Sequence, residues 1–162
     1  MTLTKIVSGG QTGVDRGALD AALAVNFPCG GWCTADRRAE DGVIPEKYAL
    51  TALAVSGYRA RTLKNVQDSD GTLILFSGAL SGGTLLMRDL CLREKKPFMV
   101  LDAKQISISR AADAIERFIE ENEIQVLNVA GPRASGWAEG YRFALDVVRD
   151  VIESRLLAGG LP

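Results

Sequence analysis

Three times in this chain a short apolar run ends in a cluster of glycine and hydroxyl residues and gives way to a helix-forming stretch. The first is Thr4 to Val7, which opens into Ser8-Gly9-Gly10-Gln11-Thr12-Gly13-Val14-Asp15-Arg16-Gly17 and an Ala/Leu-rich segment. The second is Gly71-Thr72-Leu73-Ile74-Leu75-Phe76, followed by Ser77-Gly78-Ala79-Leu80-Ser81-Gly82-Gly83-Thr84 and a helical stretch, Leu85 to Lys95, stopped by Pro97. The third is Ile124 to Val129, leading through Ala130-Gly131-Pro132-Arg133-Ala134-Ser135-Gly136 into the last helix. A strand that turns directly into a helix leaves the first backbone N–H groups of that helix without partners. Glycine there lets a ligand reach the main chain where a side chain would stand in the way. One such loop is as often a tight connection; its repetition is what points to an anion site.

The remaining segments fit the same alternation. The spacing of Ala18, Ala22 and Val25 predicts a helix over 14–25. Cys29 to Cys33 reads as a short second strand. Thr34 to Pro45 carries two arginines, three acidic residues and Gly42, and is either a solvated connection or a lid over the first loop. Pro45 to Tyr48 begins a short helix, and Arg59 to Asp70 contains another. Phe98 to Leu101 is a strand. Ser109 caps a helix running to Asn122, with Ile115, Phe118 and Ile119 on one face and Arg117, Glu120 and Glu121 on the other. Tyr141, Leu145, Val148, Ile152 and Leu156 mark the buried stripe of the last helix. Strands and helices in alternation, with connections too long for hairpins, give a mostly parallel sheet covered on both faces. The expected fold is α/β, a Rossmann-like three-layer α/β/α sandwich, with residues 1–162 as a single domain.

Composition removes several functions. With 19 Lys+Arg against 20 Asp+Glu the net charge is -1, so nucleic acid is not a favoured partner. No apolar run approaches the roughly 18 residues of a membrane span, and the start lacks a signal peptide's apolar stretch, so a cytoplasmic protein is expected. Three cysteines, Cys29, Cys33 and Cys91, suit a reducing compartment. Cys29 and Cys33 lack the C-x-x-C spacing of zinc ribbons and redox pairs. The chain has no histidine, which excludes the imidazole base, the Ser-His-Asp and Cys-His arrangements and most zinc and iron sites. No metal site is expected.

In a parallel sheet the loops at the carboxyl ends of the strands share one edge, where ligands bind. The expected ligand-binding residues are therefore Ser8, Gly9, Gly10, Gln11, Thr12, Gly13, Asp15 and Arg16 of the first loop. The second loop adds Ser77, Gly78, Ser81, Gly82, Gly83 and Thr84, and the third adds Gly131, Arg133 and Ser135. Their N–H groups, hydroxyls and guanidinium hold phosphates and other oxyanions. Asp15 and Asp70 would accept from ribose hydroxyls or an amine; Asp15 equally complements the first turn of its helix. Trp32, beside glycines, either stacks on a base or pterin or packs in the core, as does Trp137. Arg37 and Arg38 read first as a solvated loop face and second as a phosphate clamp. A valine at Gly10 or Gly83 would fill the phosphate space.

Residues 8–16 just quoted, Gly30-Gly31-Trp32-Cys33, Arg37 or Arg38 with Ala39-Glu40-Asp41-Gly42 and Ile44-Pro45, and Asn65-Val66 with Ser69-Asp70-Gly71-Thr72-Leu73-Ile74 carry a family resemblance. Together they resemble the bacterial family called putative molybdenum carrier proteins. That family is a circularly permuted branch of the SLOG superfamily of Rossmann-like nucleotide-ligand binders, alongside lysine-decarboxylase-like phosphoribohydrolases and the DNA-processing protein of transformation. Val129-Ala130-Gly131-Pro132-Arg133 resembles the strand and Gly-Ser-Arg turn with which ordinary members begin, here moved near the C-terminus. Two departures stand out. Thr34-Ala35-Asp36 occupies the place of an expected Pro, basic residue and Gly. The phosphoribohydrolases resemble Pro-Gly-Gly-x-Gly-Thr-x-x-Glu, whereas here Met87 stands three residues after Thr84, and Asp89, two further along, faces elsewhere.

The resemblance implies a cytoplasmic carrier or sensor that binds a phosphorylated nucleotide-like molecule, with molybdenum cofactor or a nucleotide as the candidate ligand. It also implies self-association into a homo-oligomer. The alternative is a hydrolase acting on a nucleotide's glycosidic or phosphate bond through Asp15, Glu40 or Asp41. Single-stranded nucleic acid ranks third.

Overall fold

The run Gly71–Phe76 is buried almost end to end, and only a strand covered on both faces hides consecutive residues in this way. In the computed structural model, which describes residues 2–159, this run is β7. The chain reaches it through β1 (Lys5–Val7), α1 (Val14–Ala24), β2 (Cys29–Gly30), β3 (Trp32–Cys33), β4 (Arg38–Ala39), β5 (Gly42–Val43), β6 (Thr51–Ala52) and α2 (Tyr58–Gln67). After it come α3 (Gly82–Glu94), β8 (Phe98–Asp102), α4 (Ile108–Glu121), β9 (Val126–Ala130) and α5 (Gly140–Ala158). The main sheet has the order β2-β1-β9-β7-β8, and every pairing is parallel. Leu73 and Leu75 face a core shared with Ala18, Ile115 and Val148, so α1, α4 and α5 cover that side. Ile74 points the other way, towards Val66, Met87 and Leu90, so α2 and α3 cover the second side. The Rossmann-like three-layer arrangement is the one expected.

What matters for function is the place of β9. Lys5, Ile6 and Val7 pair with Val126, Leu127 and Asn128, while Thr72, Leu73 and Ile74 pair with Asn128, Val129 and Ala130. The three strands that precede the glycine-rich loops are therefore neighbours in the sheet, and the loops leave from one edge.

Asp70 lies at the opposite edge. Its Oδ2 accepts from the N–H groups of Gln125 (3.1 Å) and Val126 (2.8 Å), which aligns β9 against β7. It is a register clamp, and the expected part in a ligand site is corrected.

Several element expectations change for physical reasons. Cys29–Cys33 is not one strand: the chain turns at Gly31, so that β2 joins β1 while β3 pairs with β6. Cys33 is buried in a small separate core with Leu19, Ile44, Tyr48 and Leu50, and both cysteines are free thiols. Pro45–Tyr48 is a turn closed by the Tyr48 N–H on the Pro45 carbonyl (3.2 Å), not a helix. Ser107 rather than Ser109 caps α4, its Oγ accepting from the Arg110 N–H at 3.3 Å.

The stripe on α5 holds at Val148 and Ile152 and differs at its two ends. Gly140, Ala144, Val147, Val148, Val151 and Ile152 are buried, whereas Tyr141 is 37% and Leu156 40% exposed. The reason is the close crossing of α1 and α5. A Cβ on Gly17 would overlap the Tyr141 carbonyl and stand 2.9 Å from the Ala144 Cβ, so the contact row must be built of small residues. Among the described residues no helix is long and apolar enough to cross a membrane.

Candidate functional site

At the carboxyl ends of β1, β9 and β7 lies a cleft of about 540 Å³. Of the residues expected from sequence, Gln11, Asp15, Ser77, Ser81, Gly82, Gly83, Thr84, Gly131, Arg133 and Ser135 line it. Ser8, Gly9, Gly10, Thr12, Gly13, Arg16, Trp32 and Gly78 do not.

Hydrogen-bond accounting explains why the first loop contributes little. A buried N–H needs a partner, and most of those in this loop find one inside the protein. The Gly10 N–H donates to Ser8 Oγ (3.3 Å), Gln11 to Asp15 Oδ2 (3.2 Å) and Thr12 to Gln11 Oε1 (3.1 Å). The Val14 N–H, at the start of α1, donates to the Pro132 carbonyl (3.3 Å). The loop is thus a scaffold that grips the third loop. Gly13 makes that grip possible: at φ +81° it takes a conformation that favours glycine, and a Cβ there would meet the Pro132 carbonyl at 2.5 Å. The vacant side of Gly10 faces Leu50 and Ile44, so a valine there disturbs the small core rather than filling a ligand space.

The segment 34–45 is neither a plain connection nor an unattached lid. β4 and β5 pair antiparallel, and the turn between them carries Glu40 and Asp41 to the loops. The Glu40 carboxylate accepts from the Thr12 hydroxyl, the Ser135 N–H (3.1 Å) and the Ser135 hydroxyl (2.7 Å), with Arg133 Nε at 3.8 Å. The Glu40 N–H donates to Gln11 Oε1 at 2.9 Å. Asp41 takes both Arg16 nitrogens (2.5 and 2.8 Å) while Arg16 Nε donates to the Gly10 carbonyl at 3.1 Å. Arg16 is therefore fully occupied outside the cleft. Arg37 is a staple, not a clamp or a solvated face: it donates to the carbonyls of Leu50 (3.1 Å), Pro45 (3.2 Å) and Tyr48 (3.2 Å). Arg38 is exposed near Asp36, at 3.7 Å.

The Ser135 and Thr12 hydroxyls hold the Glu40 carboxyl below its ordinary 4.5. A depressed folded value means that this contribution is complete above 4.5 and fades as pH falls through the folded value. Glu40→Gln is accordingly expected to destabilise the protein at neutral pH and to match the wild type in strong acid. Urea unfolding at both conditions checks it, and an equal deficit in each would mean that the carboxylate charge contributes nothing.

Asp15 and Arg61 form the buried polar pair of the cleft. Asp15 is 3% exposed, and its Oδ2 lies 3.4 Å from Arg61 Nη1. Burial pushes its carboxyl above the ordinary range, against the lowering effect of Arg61 and of the Gln11 N–H. Arg61 reaches it from α2 by passing over Gly9, where a Cβ would fall inside the guanidinium. Tyr58, Arg61 and Thr62 line the cleft from one face of α2, a contribution that sequence reading missed. Their i, i+3, i+4 spacing was the available signal.

Trp137 rather than Trp32 lines the cleft, its ring centroid 5.6 Å from that of Phe143. Trp32 instead donates from Nε1 to Asp68 (2.7 Å) with Lys64 over its ring at 5.3 Å.

The open donors are at the start of α3. Ser81 is extended and its side chain makes no capping bond, the Thr84 and Leu85 N–H groups both reach the Ser81 carbonyl (3.2 and 3.3 Å), and the N–H groups of Gly82 and Gly83 have no partner among the described residues. A Cβ on either glycine would meet nothing within 4 Å. Met87 follows one turn later and is buried, its Sδ 3.6 Å from Asn128 Nδ2. Asp89 faces away, paired with Arg88 at 3.1 Å. Among the described residues Asp15 is the sole acid lining the cleft, and no group of three or more Cys, Asp or Glu side chains is placed to hold a metal.

Comparison with known proteins agrees with the fold. A crystal structure of a protein named "Putative molybdenum carrier protein" from Syntrophus aciditrophicus SB is 46% identical, with a TM-score of 0.91, over 93% of this chain and 96% of that one. The comparison with curated proteins found no match. The model of the circularly permutated YpsA SLOG family matches residues 6–152, and the last strand, β9, stands between β1 and β7, the central place that the first strand holds in a doubly wound sheet. The chain belongs to the circularly permutated YpsA SLOG family.

Proposed function

We propose that the protein is a carrier or sensor for a small phosphorylated, nucleotide-like molecule whose anionic oxygens lie at the N-terminus of α3. The observation that carries this reading is the open pair of N–H groups at Gly82 and Gly83, in a cleft that two guanidiniums, Arg61 and Arg133, also line. A helix N-terminus favours negative charge through its partial positive charge and its unpaired N–H groups, and arginine adds charge-assisted hydrogen bonds. The name of the Syntrophus relative makes molybdenum cofactor the first candidate; nucleotides present the same kind of oxygens. Hydrolysis is the weaker reading, because Asp15 is engaged by Arg61 and Met87 stands where a catalytic carboxylate is expected.

Native mass spectrometry of gently purified protein tests the ligand class: a retained adduct with the mass of a nucleotide or pterin supports the carrier, and free base released from added nucleotides supports the hydrolase. Gly83→Val places bulk at the open helix start, where its Cβ meets nothing within 4 Å. It is expected to weaken pyrophosphate binding at least tenfold, about 1.4 kcal/mol, with the unfolding midpoint nearly unchanged. Unaltered affinity by calorimetry would move the anion site elsewhere.

A further inference from the structure

We propose that Tyr58 divides the binding site into two joined parts and that the molecule bound is bipartite, with its anionic group in the main cleft and a flat heteroaromatic ring stacked on Tyr58. This rests on the function proposed above. Tyr58 is 47% exposed and forms part of the wall of both the main cleft and a second recess of about 290 Å³. Arg61 lies over the Tyr58 ring, 5.7 Å from its centroid, so the residue that faces the anion also abuts the ring. The Thr62 hydroxyl donates to the Tyr58 carbonyl at 2.7 Å, which fixes the first turn of α2 and with it the root of the side chain.

On the far side the recess is lined largely by small residues. Gly57 contributes no side chain, and a Cβ there would meet nothing within 4 Å. Ala35 adds a small apolar wall. Asp36 and Arg38 stand at the rim, 3.7 Å apart and each with 66% of its side chain exposed, and offer an acceptor and a donor to the edge of a ring. Stacking of a base on an aromatic side chain is tolerant of which ring is present, so purine and pterin share the chemistry this subsite would recognise.

Calorimetric titration of the full chain with pyrophosphate, ADP and 6-hydroxymethylpterin diphosphate tests the assignment. The expected result is that one or both ring-bearing diphosphates bind about tenfold or more tighter than pyrophosphate. Tyr58→Ala then brings them down to the pyrophosphate level while leaving pyrophosphate unchanged, and Tyr58→Trp restores them. The better of the two rings identifies the source. Equal binding of all three by the wild type, with pyrophosphate bound, overturns the Tyr58 subsite and leaves the anion site standing. A Tyr58→Ala loss shared equally by pyrophosphate also overturns it, because Tyr58 would then act only by seating Arg61. Failure of all three to bind overturns both readings.

Discussion

Replacing Arg61 with methionine lowers the unfolding free energy by about 3 kcal/mol at neutral pH, the effect of removing one member of a buried ion pair. Arg61 and Asp15 keep only 11% and 4% of their side chains exposed, so water cannot substitute for the lost cation. Methionine retains most of the bulk, which leaves charge as the main change. The deficit depends on pH with a definite sign. Asp15 already titrates above its ordinary 3.8 in the folded protein, because of burial, and loss of Arg61 raises it further. A carboxyl raised on folding costs stability when ionised. That cost is complete above the folded value and vanishes as pH falls towards 3.8, where both states are protonated. Urea unfolding across this range is expected to show the variant approaching the wild type in acid, and the further change Asp15→Asn is expected to recover most of the loss at neutral pH. A deficit independent of pH would mean that the guanidinium acts by packing alone. Under the proposed function the same variant also loses pyrophosphate binding.

Gly17→Val is expected to destabilise by about 3 kcal/mol and to lower the melting temperature by roughly 10 °C. The first added carbon overlaps the Tyr141 carbonyl, and that oxygen belongs to the backbone of α5. Relief therefore requires the two helices to part along a contact lined by Ala18, Ala144, Val147 and Val148, all buried. The sign of Gly17→Ala is informative too, because helix propensity alone favours alanine by about 1 kcal/mol. Calorimetric melting of both variants checks the argument; a rise in melting temperature for alanine would show that α5 can slide.

The parts of this fold that could be read in the chain are those whose signal is local. The solid apolar run of β7, the Ala18 and Ala22 spacing and the Ile115, Phe118, Ile119 face of α4 all state their environment within a few residues. The α5 stripe misled because close crossing selects small side chains, while a sequence reader looks for large ones. Asp70 misled because its partners, Gln125 and Val126, lie 55 and 56 residues away, and an aspartate before a strand looks the same whether it holds a ligand or a neighbouring strand. The site was half legible for the same reason. Glycines at the start of α3 announce open N–H groups, but in the equally glycine-rich first loop the donors of Gly10, Gln11, Thr12 and Val14 are taken by Ser8, Asp15, Gln11 and Pro132. Nothing local marks Glu40 as the carboxylate that ties Thr12 to Ser135, because the tip of a charged loop and a fastening have the same composition. Arg61 was hidden in a helix with little apolar periodicity.

The position of β9 has a consequence for how the molecule is made. Until residues 126–130 have left the ribosome, the strands of the main sheet already synthesised can form only two separate parallel pairs, β2 with β1 and β7 with β8. Two-stranded fragments are marginal by themselves, and joining them requires contacts as distant as Lys5 with Val126, the kind that makes folding slow. The nascent chain therefore emerges with unpaired edges on β1 and β7, at roughly 5–20 residues per second, and sheet closure waits for β9. A chain cut before β9 is expected to be a substrate for chaperones, and a separately supplied β9–α5 fragment is the piece that would complete it.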